Sequence, residues 1–275
     1  MQEFLNFFET MPIWMKAGWI FLVLGFFWIL EGHYSLFQLR YKKWKHAKVN
    51  LVLLLFVMII NAIFGIVTAG VFTWLQASEL GLLHLIEAPV WIELIIAILI
   101  LDLIAQYGVH FFLHKIPAMW RLHIVHHSDK NVDVTTGTRH HPIDFIIRES
   151  FALIAVLITG MPIAFYLFYR ILSVLFTYWT HANISLPIAI DKALSYLIVT
   201  PNMHKFHHHF ELPWTDSNYG NMFSIWDRIF GTFVYGDPKK IQYGVDLADH
   251  TNDESIAVQL GIPFNKDVKS KTKGI

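Results

Sequence analysis

The sequence predicts an all-α, polytopic membrane protein whose transmembrane helices carry a His-rich helical cap on the cytoplasmic side. Three observations lead there. Apolar residues form 55% of the 275-residue chain and charged ones 15%, against about 45–50% and about 25% in soluble domains. The excess is gathered in runs, and the loops between the runs differ sharply in basic content. Finally, of sixteen His residues, twelve fall between His110 and His209. Formal charge balances at 21 basic and 21 acidic residues, which gives no reason to expect a nucleic-acid partner. There is no Cys. Disulfides, Cys-ligated zinc, Fe–S clusters and thiolate nucleophiles are thereby excluded, and any metal must sit on His, Asp or Glu.

Five apolar stretches are expected to form helices. The first, Trp14 to Leu30, is bordered by Trp14, Trp19 and Trp28 as an interfacial belt would be. Glu3 and Glu9 stand where a signal peptide would carry positive charge. The second, Val49 to Leu75, is long enough to cross with tilt. The third runs from Pro89 to Gly108. The fourth and fifth, Phe145–Thr159 and Ile163–Trp179, are divided by Gly160-Met161-Pro162, a break that predicts a hairpin of shorter helices.

Loop charge sets the orientation. Residues 31–48 contain Arg40, Lys42, Lys43, Lys45 and Lys48, whereas residues 76–88 contain Glu79 and Glu87 and no Lys or Arg. The positive-inside bias places the first loop in the cytoplasm. Parity then brings His110–His141 and, after the hairpin, His181–His209 to that same face. The basic tail (Lys239, Lys240, Lys266, Lys269, Lys271, Lys273) lands there too. The expected organisation is two N-terminal spans over residues 1–90, a catalytic region over 91–235 with further membrane helices, and a cytoplasmic tail over 236–275. No internal repeat or low-complexity segment is visible.

Three His clusters have ligand spacing. His110-x3-His114 sets two imidazoles one turn apart, and His123-x2-His126-His127 and His204-x2-His207-His208 each set a His at i, i+3 and i+4. With His181 they supply nine candidate ligands. One ion takes about four to six, so nine imply two ions. No His is followed by Glu and no Glu has a His three residues on, so neither the HExxH zinc motif nor the carboxylate di-iron bundle motif is present. Zinc cannot cycle oxidation state, so iron is the better metal if the reaction is oxidative. His209 and His140 are expected off the ligand faces, and His33, His46, His84 and His250 as ordinary loop residues. Asp102, Gln106, His110 and His114 recur every four residues as a polar stripe, in which Asp102 is expected to orient an imidazole. Arg170 is expected to face the bundle, paired with Glu149 or Asp102. A non-catalytic scaffold or a His-rich transporter is the rival of another class. Transport would place His within spans, whereas here they lie at span ends or beyond.

Asp102–His114 (DLIAQYGVHFFLH), Trp120–Asp144 (WRLHIVHHSDKNVDVTTGTRHHPID) and Pro201–Phe233 (PNMHKFHHHFELPWTDSNYGNMFSIWDRIFGTF) together resemble the fatty acid hydroxylase / sterol desaturase superfamily of membrane di-iron enzymes. The resemblance implies a two-iron site on His110, His114, His123, His126, His127, His181, His204, His207 and His208. Asp102, His141, Asn218 and Asp227 would be further active-site residues, with His141 completing or bracing the site and Asn218, Tyr219, Trp226 and Asp227 in the cap that closes it. Asp144 departs from the family, which has Glu after H-P-x. The implied activity is O2-dependent hydroxylation or desaturation of a fatty acyl, sterol-like or other isoprenoid C–H bond. Ether-lipid cleavage and carotenoid hydroxylation are alternatives on similar clusters. Lacking Cys and a haem domain, the chain would take electrons from a separate cytochrome, ferredoxin or flavoprotein reductase. In a bacterium it would lie in the inner membrane.

Overall fold

Long apolar runs free of Pro become long helices in the computed structural model, which describes residues 1–38, 41–245 and 252–268. His250, Arg40, Lys269, Lys271 and Lys273 fall outside the described residues. The helices are α1 (Gln2–Glu9), α2 (Ile13–His33), α3 (Lys43–Ser78) and α4 (Val90–Asp102), which continues through a π-helical turn (Leu103–Gly108) into α5 (Val109–Lys115). Ile116, before Pro117, is forced extended (φ −92°, ψ 115°), so α5 stops there and Pro117 opens α6 (Pro117–His127). Then come α7 (Pro142–Thr159), α8 (Ile163–His181), α9 (Ile188–Leu194), α10 (Pro201–His207), α11 (Ile225–Ile229) and α12 (Ile256–Gly261). No strand forms among the described residues, only isolated bridges.

Four helical stretches are long and apolar enough to cross a membrane: Ile13–His33, Lys43–Leu85, Val90–Lys115 and Ile163–His181. The fourth stretch expected from the sequence does form a helix, α7, but Asp144, Arg148 and Glu149 crowd its first half and it falls outside this set. It is the charged arm of a hairpin. The hairpin turn is where expected: α7 ends at Gly160 in the left-handed region (φ +65°). A Cβ there would lie 2.1 Å from the Leu80 carbonyl oxygen. Only Gly tolerates both demands. The contact also places the hairpin turn at the same end of the bundle as the loop after α3, opposite the His clusters.

The apolar core of the bundle joins α3, α4, α7 and α8 through Phe72, Leu101, Val156, Phe165 and Tyr169. α1 was not foreseen; its Phe4 and Phe8 pack on Phe168 of α8. Arg170 pairs with Glu149 (2.6 Å) and Asn61 (3.0 Å), the first of its two expected partners.

Contacts cross both boundaries drawn from the sequence. Residues of α3 penetrate the cap: His46 reaches Asp129 (2.9 Å), and Asn50 bonds Thr135 (2.8 Å) and Arg139 (2.9 Å). His46 is thus a fully buried member of a polar network rather than a loop residue. The tail also folds back. Arg121 donates to three of its carbonyls, Pro263, Asn265 and Val268, while Ile262 and Val268 join Trp120, Ile124 and Val125 in a core.

Candidate metal centre

Ligand-bearing segments reach the site by simple local rules. α5 carries His110 and His114 one turn apart, α6 carries His123, His126 and His127, α8 ends on His181, and α10 carries His204 and His207 with His208 following. All nine rings are buried. They sort into two groups whose ligand nitrogens lie within 4.8 Å of one another: His110, His114, His123, His127 and His207, and His126, His181, His204 and His208. The groups abut, with ring centroids 4.8 Å apart for His127–His208 and 5.3 Å for His126–His127. Within each H-x2-H-H motif the i and i+4 rings share one group and the i+3 ring joins the other.

Outer hydrogen bonds aim the rings. His123 Nδ1 meets Asp144 (3.1 Å) and His114 Nδ1 meets Asp216 (3.3 Å). His110, His207, His126 and His181 meet the carbonyls of Tyr219 (2.8 Å), Ser217 (2.7 Å), Arg139 (3.2 Å) and Thr177 (2.7 Å) through Nδ1. These partners only accept, so Nδ1 holds the proton and the Nε2 lone pair faces inward. Facing nitrogens approach to 3.1 Å in His110–His123, His126–His181 and His181–His204. That matches the separation of about 3 Å expected for neighbouring ligands each about 2.1 Å from one ion.

Burial pushes His123 down to about 3 and holds His126, His127, His204, His207 and His208 well below the usual imidazole range. They are neutral at pH 7, the form in which imidazole can bind a metal ion. Nε2 of His114, His127, His207 and His208 is buried with no hydrogen-bond partner. Such orphans cost about 1–3 kcal/mol each unless something binds them. Each group is able to hold a metal ion.

The four other site residues expected from the sequence lie outside both groups. Asp102 does not orient an imidazole: its carboxylate accepts from Tyr169 (3.2 Å), Phe223 N (3.2 Å) and Trp226 Nε1 (2.9 Å), because the π-helical turn breaks the four-residue stripe. His141 caps α7, accepting from Ile143 N (3.2 Å), and packs on Phe264. Asn218, in the left-handed region (φ 52°), bridges Met203 and Val234 (2.8 Å each). Asp227, pushed up to about 6 by burial, accepts from Tyr219 N (2.7 Å) and Gly220 N (2.9 Å). It thereby fixes the loop whose carbonyl holds His110.

His140 lies outside both groups, beside their rings, and forms a further cluster with His123 and Asp144. It stacks on His126 (4.8 Å, 10°) and reaches Asp144 (3.3 Å). His209 stays outside, accepting from Gln242 N (3.0 Å); His33 and His84 are exposed. Sequence reasoning missed Asp216 and undervalued Asp144. The second had a signal, four residues after His140 and four before Arg148. The first had none, since only the fold brings it to His114.

The fatty acid hydroxylase family model matches residues 94–232, which include all nine rings. The chain is 26% identical over 174 residues to an ornithine lipid hydroxylase, OlsE, of Rhizobium tropici, covering 62% of this chain and 51% of that protein. It is 29% identical over 139 residues to the alkylglycerol monooxygenase of Homo sapiens, covering 50% and 30%. It is 28% identical over 155 residues to the very-long-chain aldehyde decarbonylase GL1-9 of Oryza sativa subsp. indica, covering 54% and 58%. The chain thus spans about half the length or less of the first two. No solved structure matches.

Proposed function

The chain belongs to the fatty acid hydroxylase family, and from that premise we propose that it is an integral-membrane, O2-dependent di-iron oxygenase acting on a lipid chain. The observation that carries this reading is the pair of abutting, fully buried imidazole groups at one end of a membrane bundle. Iron bound there would supply the reduction of O2 and the oxidation of a C–H bond. Hydroxylation balances as R–H plus O2, two electrons and two protons giving R–OH and water; loss of a second hydrogen instead of oxygen insertion gives an alkene and two waters from the same O2, electrons and protons. The chain's own part is to hold neutral ligands inward, to exclude water through the cap fixed by Asn218 and Asp227, and to position the lipid. The electrons come from a separate donor protein. The exposed Lys42 and Lys48 offer such a partner positive charge beside the paired Lys43 and Lys45, and the positive-inside bias puts this face in the cytoplasm.

Likeness to alkylglycerol monooxygenase favours a second reading, oxidation next to an ether oxygen. Lipid profiling of cells expressing the protein, beside His126→Ala and His207→Ala, separates the two. A lipid gaining one oxygen or one double bond supports the first, and loss of an ether-linked chain the second. Purified protein with zinc alone and no O2 consumption overturns both.

A further inference from the structure

Beside the His cluster lies an apolar groove that the metal chemistry leaves without a role. It encloses about 390 Å3, within the range of about 300–1,000 Å3 usual for small-molecule sites. Ile104, Tyr107, Phe111 and Phe112 of the α4–α5 helix form one wall, and Phe151 of α7 and Phe230 after α11 the other. The rings interlock, Phe112 on Phe151 at 5.8 Å and Tyr107 on Phe230 at 5.1 Å. The one polar tip in the lining, the Tyr107 hydroxyl, is engaged by Thr232 Oγ1 at 3.1 Å. Gly108 also lines the groove and presents no side chain to it. Nothing here recognises a polar ligand.

Two observations specify the occupant. The groove is cut into Val90–Lys115, a stretch long and apolar enough to cross a membrane. Its rims are open, with Phe112 41% and Phe230 55% exposed, so its surroundings in a bilayer are lipid chains. The second observation is Tyr219. Its ring packs 6.1 Å from Tyr107 and 5.5 Å from Phe111 on the groove side. On its other side it packs 5.1 Å from His114 and 5.8 Å from His207. Tyr219 thus joins the wall residues Tyr107 and Phe111 to two rings of the five-His group.

We propose that the groove seats one acyl chain of a bilayer lipid, and that Tyr219 is the positioning residue that decides which carbons of that chain come beside the metals. The chemical significance rests on the oxygenase reading; the seating of a chain does not.

The test uses the full chain in bilayer nanodiscs of phosphatidylcholine containing a fraction of the same lipid with a diazirine midway along one chain. Photolysis and peptide mapping read where the chain lies. Cross-links are expected to concentrate on residues 103–112, Phe151 and Phe230. Filling the groove with Ile104→Trp and Phe230→Trp is expected to cut them about tenfold, with labelling of α2 and metal content unchanged. If that double variant misfolds, Phe112→Trp on the open rim serves in its place. In Tyr219→Ala the ring behind Tyr107 and Phe111 is removed, and new cross-links are expected on His114 and His207. Labelling spread evenly over the exposed faces of α2 and α3, or indifferent to the filling, overturns the proposal. Lost redox metal with groove labelling intact instead overturns the oxygenase reading and spares the groove.

Discussion

The two imidazole groups differ in what stands behind their rings, and that difference is written in single residues. The five-His group has two carboxylate-backed ligands, His123 on Asp144 and His114 on Asp216. In the four-His group the Nδ1 partners of His126 and His181 are carbonyls. A carboxylate raises ligand basicity more than a carbonyl, and losing such a partner costs about 10–100-fold in metal affinity. Asp144→Asn or Asp216→Asn should therefore weaken one of two binding phases in a metal titration and leave the other in place. Loss of both phases would mean that the acids hold the fold rather than one ion. Acid should also act through the rings. His123 has a folded-state value near 3, below the unfolded value of about 6.5, so the folded state binds fewer protons. Its contribution is complete above about pH 6.5 and is lost at about 1.4 kcal/mol per pH unit as pH falls toward 3. The thermal midpoint of metal-free protein in detergent should fall between pH 7 and 5, and His123→Gln should flatten that slope. Some of this site was legible in the sequence and some was not. His spacing reports helix faces, which are local. Asp216 lies 102 positions from His114, and no local pattern encodes that contact.

At the level of elements, two short helices do most of the sorting. In α6, His123 and His127 serve one group and His126 the other; in α10 and the residue after it, His204 and His208 serve one and His207 the other. An i, i+4 pair lines up along one side of a helix, while the i+3 position is rotated about 60° from i and about 100° from i+4 at 3.6 residues per turn. Each H-x2-H-H motif thus supplies rings to both groups, whereas the sequence alone showed three rings on one face. His126→Ala and His207→Ala should each lower bound metal by about one ion per chain, read by elemental analysis of purified protein. Both variants losing both ions would show the groups to be interdependent. The tail is the other element whose role was hidden. Its spacing looks polar and irregular, yet Ile262 and Val268 are 1% and 0% exposed, and burying each such side chain contributes about 1.5–3 kcal/mol. They pack on Trp120, Ile124 and Val125 of α6, and Arg121 fastens them there. A chain ending at Thr251 should melt at lower temperature and retain less metal after gel filtration; full retention would show that the latch is dispensable.

For the whole molecule, topology was more legible than chemistry, because hydropathy and loop charge act over long stretches while ligand aim depends on particular contacts. Parity required the hairpin turn and the loop after α3 to share one end. The close approach of Gly81 and Gly160 puts them there, since a Cβ on Gly81 would fall 2.3 Å from Gly160 N. All nine rings gather at the other end, where Glu31 pairs with Lys43 at 2.7 Å and Lys45 with Glu254. Which end faces the cytoplasm is a matter of loop charge alone. The absence of Cys gives this a clean test, because any introduced thiol is the sole labelling site. Glu87→Cys, in the acidic loop, should react with a membrane-impermeant maleimide added to intact cells. Lys239→Cys, at the metal end, should react only after permeabilisation. The opposite pattern would move the His cluster to the outer face, and an electron donor would then have to be sought on that side. Labelling of both thiols in intact cells would mean that the hairpin of α7 and α8 does not return across the bilayer. The two His-bearing segments it joins would then have to reach their common site by another path.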